Sequence, residues 1–503
     1  MIQDILVLGA GSAGLLTAIT LKKKFPQLNV RVVRSSDLGV IGVGEGTTPA
    51  MPRHLFTYLG MNPALFYERA EPTWKIGIRF LWGPREHFDY TFSHQLDAQW
   101  SNLPRPHGFY SDDEFRWNDL QAALMANGKA FPRNPIGGGP DMSGAFGFHI
   151  ENKKLVETLE IMAADLGVTF IEGKVSGTER GPDGISALLL EDGQQLAADF
   201  FVDCSGFRSE LLGRALAEPY VSYDRALFCD RAVIGGWDRT TEPILPYTTA
   251  ETMEAGWAWQ IEHEHHINRG YVYCSQFISD DEACAEFQRK NPKAPASPRV
   301  VKFRSGRYQR VWVDNVVAVG NAAGFVEPLE ATALMVVTQQ CEHLVTMLEH
   351  TARQPTPTVR ALYNQMICES FDDTRDFLAL HYKLNTRLDN PFWRHCCADT
   401  DMGALGPLLE FYKENGPTGV ARYMLPTQMN NFGIEGYLVM LVGNQAPYQA
   451  RHILTAAEQH MWAVNRSAFT SKALHGLTVA ESLRVIRSSG WNWNHPADAL
   501  PAR

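Results

Sequence analysis

The chain has 503 residues, 45% of them apolar and 20% charged, an ordinary globular composition that excludes a disordered or fibrous protein. Its net charge of −10 argues against a nucleic-acid backbone or an anionic membrane as the main partner and favours small substrates. No run approaches the ~18 apolar residues of a spanning helix, and a strand-like stretch follows Met1 too closely for a leader, so a cytoplasmic protein is expected. The eight cysteines contain no CxxC pair, only the adjacent Cys396 and Cys397, which predicts free thiols.

Residues 5–8 read as a buried strand and 11–25 as a helix with apolar Leu15, Leu16, Ala18, Ile19 and Leu21. A second strand at 28–34 carries Val30, Val32 and Val33. Between the first strand and the helix stands Gly9-Ala10-Gly11-Ser12-Ala13-Gly14, a dinucleotide fingerprint in a βαβ unit. Gly9 makes the turn, Gly11 admits the pyrophosphate, Gly14 lets the helix pack, and the helix start at Ser12 and Ala13 turns its N–H groups to the phosphates. The alternative is a tight turn that binds nothing. Where an acidic side chain usually bonds the ribose, this chain carries Arg34. Arg34 either stacks on adenine, contacts a phosphate or is a solvated strand-end arginine, with Ser35, Ser36 and Asp37 as further polar candidates.

A second glycine-rich turn, Gly42-Val43-Gly44-Glu45-Gly46-Thr47, follows. Here the sequence resembles the flavin-dependent halogenases, in which a GVGE segment after the second strand forms a strap over the flavin, and the resemblance continues through most of the chain. It implies an α/β fold: an FAD-binding Rossmann-like module of the GR2-type flavin monooxygenase kind, with a mixed sheet and a mainly helical C-terminal substrate-binding part. Residues 1–350 would form a discontinuous FAD-binding and halogenation module, and 351–503 a mainly helical region packed on it as one body. The implied FAD contacts are Gly9, Gly11, Ser12, Ala13, Gly14, Arg34, Ile41, Gly42, Val43, Gly44, Glu45, Val175, Asn321 and Leu334.

The stretch Trp74-Lys75-Ile76-Gly77-Ile78-Arg79-Phe80 predicts a strand with Trp74, Ile76, Ile78 and Phe80 on its apolar face and Lys75 on the other. Alone, Lys75 reads as a solvated strand-face lysine. The resemblance makes it the catalytic lysine, whose ammonium hydrogen-bonds hypohalous acid or whose neutral amine forms a haloamine. Further strands are expected at 198–203 and 311–319.

Gly256-Trp257-Ala258-Trp259-Gln260-Ile261-Glu262 is similar to the family's WxWxIP motif, with Glu262 in place of the final proline. The resemblance places Trp257 and Trp259 near the flavin, where they discourage direct monooxygenation; two indoles at period 2 also read as core packing. His263-Glu264-His265-His266 lacks HExxH spacing and reads as a solvated loop, and no metal is expected.

Phe325 to Ala333 resembles the family's segment between flavin and substrate. Pro328 ahead of an apolar-periodic stretch at 333–350 predicts a helix N-terminus, which makes the N–H groups of Thr332 and Ala333 candidate halide ligands. Glu330 matches the carboxylate that stabilises the cationic ring intermediate and helps remove its proton, or is a first-turn glutamate favoured by the helix dipole. Ala331 and Ala333 stand where the family usually has serine and glycine. Pro355 to Pro357 reads as a linker, and Asp372, Asp373 and Asp376 beside Arg375 as a polar helix face.

Tryptophan-specific members grip the amino acid's amine and carboxylate ahead of an Asn-Phe-Trp segment. The corresponding positions here are Gln428 for a glutamate, Ala421 and Arg422 for a tyrosine pair, and Gly433 for the tryptophan. That removes the grip on free tryptophan. The expected reaction is FADH2-dependent bromination or chlorination of an electron-rich aromatic, indole or an indole-bearing compound, through a flavin hydroperoxide and hypohalous acid directed by Lys75. Oxygen, a halide and a separate NAD(P)H-dependent flavin reductase are implied, since no second nucleotide fingerprint is visible. A flavin-dependent aromatic hydroxylase is the alternative, opposed by Lys75, Glu330, the tryptophan pair, and Asn321 where hydroxylases carry aspartate. A non-catalytic flavin-binding protein is opposed by the joint presence of Lys75 and Glu330.

Overall fold

Ile5, Leu6 and Val7 are wholly buried because their strand, Asp4–Leu8, runs through the middle of a six-stranded sheet. The computed structural model describes residues 1–35, 44–93, 119–295, 298–427, 430–449, 453 and 455–493. Its contacts gather the chain into two interleaved units. The first consists of Met1–Glu71, Ile150–Asp224 and Phe303–Asp372, and the second of Pro72–His149, Arg225–Lys302 and Asp373–Arg503. The expected boundary at 350 falls inside the first unit's last segment.

In the first unit Asp4–Leu8 pairs in parallel with Asn29–Arg34 on one side and Phe200–Asp203 on the other. Thr169–Glu172 and Val316–Ala318 extend the parallel sheet outward. Leu8 lies opposite both Val33 and Asp203, and Asp203 opposite Ala318, so the strands end level. The turns after them, at Gly9, Cys204 and Gly320, therefore share the carboxyl edge, where open parallel sheets bind ligands. The helix Ser12–Lys24 is buried from Gly14 to Leu21, so it is covered on nearly every side. Asn152–Asp165 and Ala333–His350 pack on it. Each of its buried leucines and isoleucines is worth about 1.5–3 kcal/mol.

One strand differs from expectation. The stretch 311–319 is a hairpin of Trp312–Val313 and Val316–Ala318, not a single strand. Asp314 takes a left-handed φ of 51° at the turn, and the Asn315 side chain bonds both the N–H and the carbonyl of Ile185, which fixes the reversal.

The second unit is built on a seven-stranded mixed sheet, in the order Arg299–Lys302, Arg231–Asp238, His266–Tyr273, Gly256–Glu262, Thr248–Met253, Gly77–Leu81, Phe88–Thr91. The expected strand at 74–80 is two strands in different sheets. Thr73–Lys75 pairs with Gly147–Ile150, whereas Gly77–Leu81 joins the large sheet. Ile76 marks the crossing, with its N–H on the Pro246 carbonyl and its carbonyl accepting from Phe92.

After residue 351 the named elements are all helical, as expected of the C-terminal part. No described helix is long and apolar enough to cross a membrane. All eight cysteines are free thiols.

Candidate functional site

Gly9 has a φ of 110°, and a Cβ there would lie 2.4 Å from the Cys204 carbonyl oxygen. A Cβ on Gly14 would lie 1.9 Å from the Gly9 oxygen. A Cβ on Gly11 would meet nothing within 4 Å, and the helix that begins at Ser12 has no side-chain cap. The loop is thus tight where chain meets chain, open where a pyrophosphate belongs, and followed by uncapped N–H donors, which fits a dinucleotide. The turn Gly320–Ala322 brings Asn321 to the same place, because a Cβ on Gly320 would touch Ala13 Cβ at 2.8 Å. Gln340 fixes that turn, accepting from Gly320 N–H at 2.8 Å and donating to the Ala318 carbonyl at 3.2 Å.

Arg34 sits at its strand end with both sides of its guanidinium engaged, by Glu160 at 2.6 Å and Glu172 at 3.2 Å. Val175 packs against the cluster containing Leu8 and Val33. Ile41, Gly42 and Val43 lie outside the described residues. Gly44 and Glu45 are described, and Glu45 accepts a hydrogen bond from Asn152 Nδ2 at 3.3 Å, while Asn152 Oδ1 accepts from Ser12 Oγ at 3.2 Å. Glu45 is therefore tied to the glycine loop through Asn152, a residue that no sequence motif singles out.

Burial pushes the Glu45 carboxyl up to about 7, against the lowering effect of Asn152. The folded protein then holds this proton more tightly than the unfolded chain, so stability falls as pH rises from about 4.5 to about 7 and is level above. Glu45→Gln is expected to remove that slope. The variant should gain about 1–2 kcal/mol on wild type near neutrality, because the carboxyl keeps some solvent contact, and nothing in acid. Melting temperatures across the range check it.

Pro328 is followed by a 3-10 turn, Leu329–Ala331, in which Glu330 and Ala331 both take left-handed φ values of 69° and 57°. Glu330 is thus not a first-turn residue of the helix Ala333–His350, which starts after it. Two consecutive non-glycine residues in this region cost about 1–3 kcal/mol each, a strain kept where geometry matters. Glu330 is buried, 4% exposed. Thr332 is the helix N-cap residue, but its side chain caps nothing. Its Oγ1 is buried without a hydrogen-bond partner among the described residues. A buried orphan hydroxyl beside the uncapped N–H groups of Ala333 and Leu334 suits a small anion.

In the second unit Lys75 is 0% exposed, which removes the solvated reading. Its Nζ lies 5.4 Å from the Phe92 ring centre. Trp257 and Trp259 share one face of Gly256–Glu262, both buried, with ring centres 6.2 Å apart. Trp259 donates to Asn268 Oδ1 at 2.8 Å and lies over Gly270, where a Cβ would meet its ring at 2.1 Å.

His263 to His266 form a turn rather than a solvated loop. His263 is buried, Glu264 pairs with Arg487 at 2.6 Å, and His266 meets Asp238 at 3.3 Å. The acidic stretch is the expected polar helix face beside Arg375, with its carboxylates held by partners. Asp372 holds Arg307 at 2.7 Å, and Asp376 holds Arg375 at 2.5 Å. Asp373 is buried on Asn430, Asn431 and Tyr437, and burial pushes its carboxyl up to about 6. Ala421 is buried, Arg422 is exposed and Gln428 lies outside the described residues. Gly433 has a φ of 62°, and a Cβ there would lie 2.7 Å from the Glu435 carboxylate.

Comparison with known proteins gives the family of the whole chain. The family model for tryptophan halogenase matches residues 4–459. Tryptophan 7-halogenase KtzQ of Kutzneria sp. (strain 744) is 33% identical over 426 residues, 78% of each chain. Among solved structures, MibH, a lanthipeptide tryptophan 5-halogenase, superposes with a TM-score of 0.89 at 36% identity, over 96% of this chain and 93% of its own. BrvH, a flavin-dependent halogenase from Brevundimonas sp. BAL3, superposes with a TM-score of 0.84 at 26% identity, over 97% of this chain and 100% of its own.

Proposed function

Because the chain belongs to the tryptophan halogenase family, and is an enzyme of that flavin-dependent kind, we propose that it halogenates indole or an indole-bearing compound rather than free tryptophan. The family's chemistry requires FADH2, oxygen, a halide and a reductase that supplies the reduced flavin. The feature that carries the substrate reading is Gly433, which the resemblance sets where tryptophan-specific members have an indole. It takes a left-handed φ that favours glycine, with Glu435 filling the Cβ position. The buried Ala421 offers no polar atom to an amino-acid headgroup. The likeness to MibH, which acts on a lanthipeptide, points the same way.

When bound, reduced FAD and oxygen supply the oxidising equivalent that turns halide into hypohalous acid. Thr332 and Ala333 would hold the halide through N–H groups and the orphan Thr332 hydroxyl. Lys75 would orient the hypohalous acid, as a hydrogen-bonding ammonium or as a haloamine. The Glu330 carboxylate would stabilise the cationic ring and accept its proton. Trp257 and Trp259 would keep water and bulk away from the flavin. Bromide, easier to oxidise than chloride, is expected to serve at least as well.

The test supplies purified protein with FAD, a flavin reductase, NADH, oxygen and either halide, and offers free L-tryptophan, indole and a tryptophan-containing peptide. Indole or the peptide is expected to exceed L-tryptophan in kcat/KM by about tenfold, the worth of a missing charged hydrogen bond. Preferred conversion of free L-tryptophan would sink the substrate reading. A hydroxylated product without the halogen isotope pattern would favour a hydroxylase.

A further inference from the structure

Glu262 stands where the family motif ends in proline, and its backbone N–H makes a bond that no proline can. Its N–H donates to His149 Nδ1 at 3.4 Å, and its carbonyl accepts from Thr73 Oγ1 at 2.5 Å. Thr73 lies two residues before Lys75 on one strand, and His149 lies directly opposite Thr73 on the next. Residues facing each other across an antiparallel pair share a face, so Thr73, His149 and Lys75 project to the same side. Gly147 lies opposite Lys75 and puts no side chain between Lys75 and His149.

With Nδ1 accepting from Glu262, His149 carries its proton on Nε2 and donates to Thr248 Oγ1 at 2.8 Å. Burial, followed by the electrostatic effect of Lys75 and His263, holds this imidazole well below the usual histidine range, so it is neutral. The Glu262 side chain is anchored independently. Its carboxylate is 1% exposed, pairs with Arg239 at 2.6 Å and accepts from Gln260 at 2.7 Å. Arg239 also donates to the His263 carbonyl at 2.8 Å, which fixes the end of the tryptophan strand.

We infer that Glu262, held by Arg239 and acting through Thr73 and His149, is a positioning residue that sets the place of Lys75, so that hypohalous acid reaches the arene instead of leaking to water. This rests on Lys75 being the halogenating lysine. The brace touches no reacting atom. Its effect is on coupling, the halogenated product formed per FADH2 oxidised.

Three variants of the full chain test it: Glu262→Pro, which removes both the N–H donor and the buried carboxylate, Thr248→Val, which leaves His149 without its acceptor, and Thr248→Ser, which keeps the hydroxyl. Product per FADH2 is expected to fall about tenfold in the first two, as hypohalous acid trapped by an added thioether rises, and to stay near wild type in the third. FADH2 oxidation rate, FAD affinity and KM for indole should not move. If Glu262→Pro fails to fold, the Thr248 pair carries the test, since it leaves the ion pair intact. Unchanged coupling, or a proportionate fall in FADH2 oxidation, overturns the brace while the halogenase reading stands. A wild-type enzyme that makes no halogenated product overturns both.

Discussion

Lys75→Met is expected to lower halogenated product by about 10³-fold or more while the protein becomes no less stable and binds FAD as before. Lys75 is fully buried, so its amine has been taken out of water at a cost of several kcal/mol. Methionine follows the lysine stem closely and removes the cost of burying the amine. A residue kept for the fold would show the opposite pattern. The glycine loop proposed to hold FAD, Gly9 to Gly14, is unaltered in this variant, so flavin affinity is expected to stay. Product mass spectrometry, a melting curve and flavin titration decide it. Residual halogenation near wild type would remove Lys75 from the chemistry, and joint loss of activity, flavin and stability would make it structural.

The two inner glycines of the phosphate loop should behave differently from each other. In Gly14→Ala the new methyl would lie 1.9 Å from the Gly9 oxygen and 3.0 Å from its carbonyl carbon, so helix and loop must separate. Both FAD affinity, by about 10²-fold, and stability, by about 2–4 kcal/mol, should fall. In Gly11→Ala the methyl meets no protein atom within 4 Å, and φ at −76° suits alanine. That variant should fold like wild type and lose FAD by a similar factor, because the methyl takes the pyrophosphate's place. Equal FAD affinity in Gly11→Ala and wild type would mean that this loop does not hold the diphosphate.

Local pattern served well wherever one segment decides the outcome. The βαβ unit, the helix from Ala333 and the strand carrying Trp257 and Trp259 were all legible, because period and glycine spacing report backbone conformation directly. What pattern does not report is which sheet a strand joins. The alternation from Trp74 to Phe80 hid the crossing at Ile76, since that depends on the distant Pro246 carbonyl. The same holds for polar partners. Asn152, His149 and Arg239 earn their places through contacts more than 20 residues away in sequence, at Glu45, Glu262 and Thr248, and no spacing rule anticipates them. The partners of the acidic stretch at Asp372 to Asp376 were hidden for the same reason, being supplied by Arg307 and Tyr437.

The interleaving of the chain has a consequence for how the enzyme is made. The glycine loop emerges from the ribosome well before Val316–Ala318 and Ala333–His350, which help enclose it and belong to the first unit's last segment. At about 5–20 residues per second, the opening segment waits on the order of ten seconds or more for them. During that wait the apolar helix Ser12–Lys24 lacks one of the two helices that cover it, a state open to aggregation. Nascent chains truncated before residue 303 should be caught by chaperones, and slower translation across 72–302 should lower the yield of soluble enzyme without altering the activity of what folds.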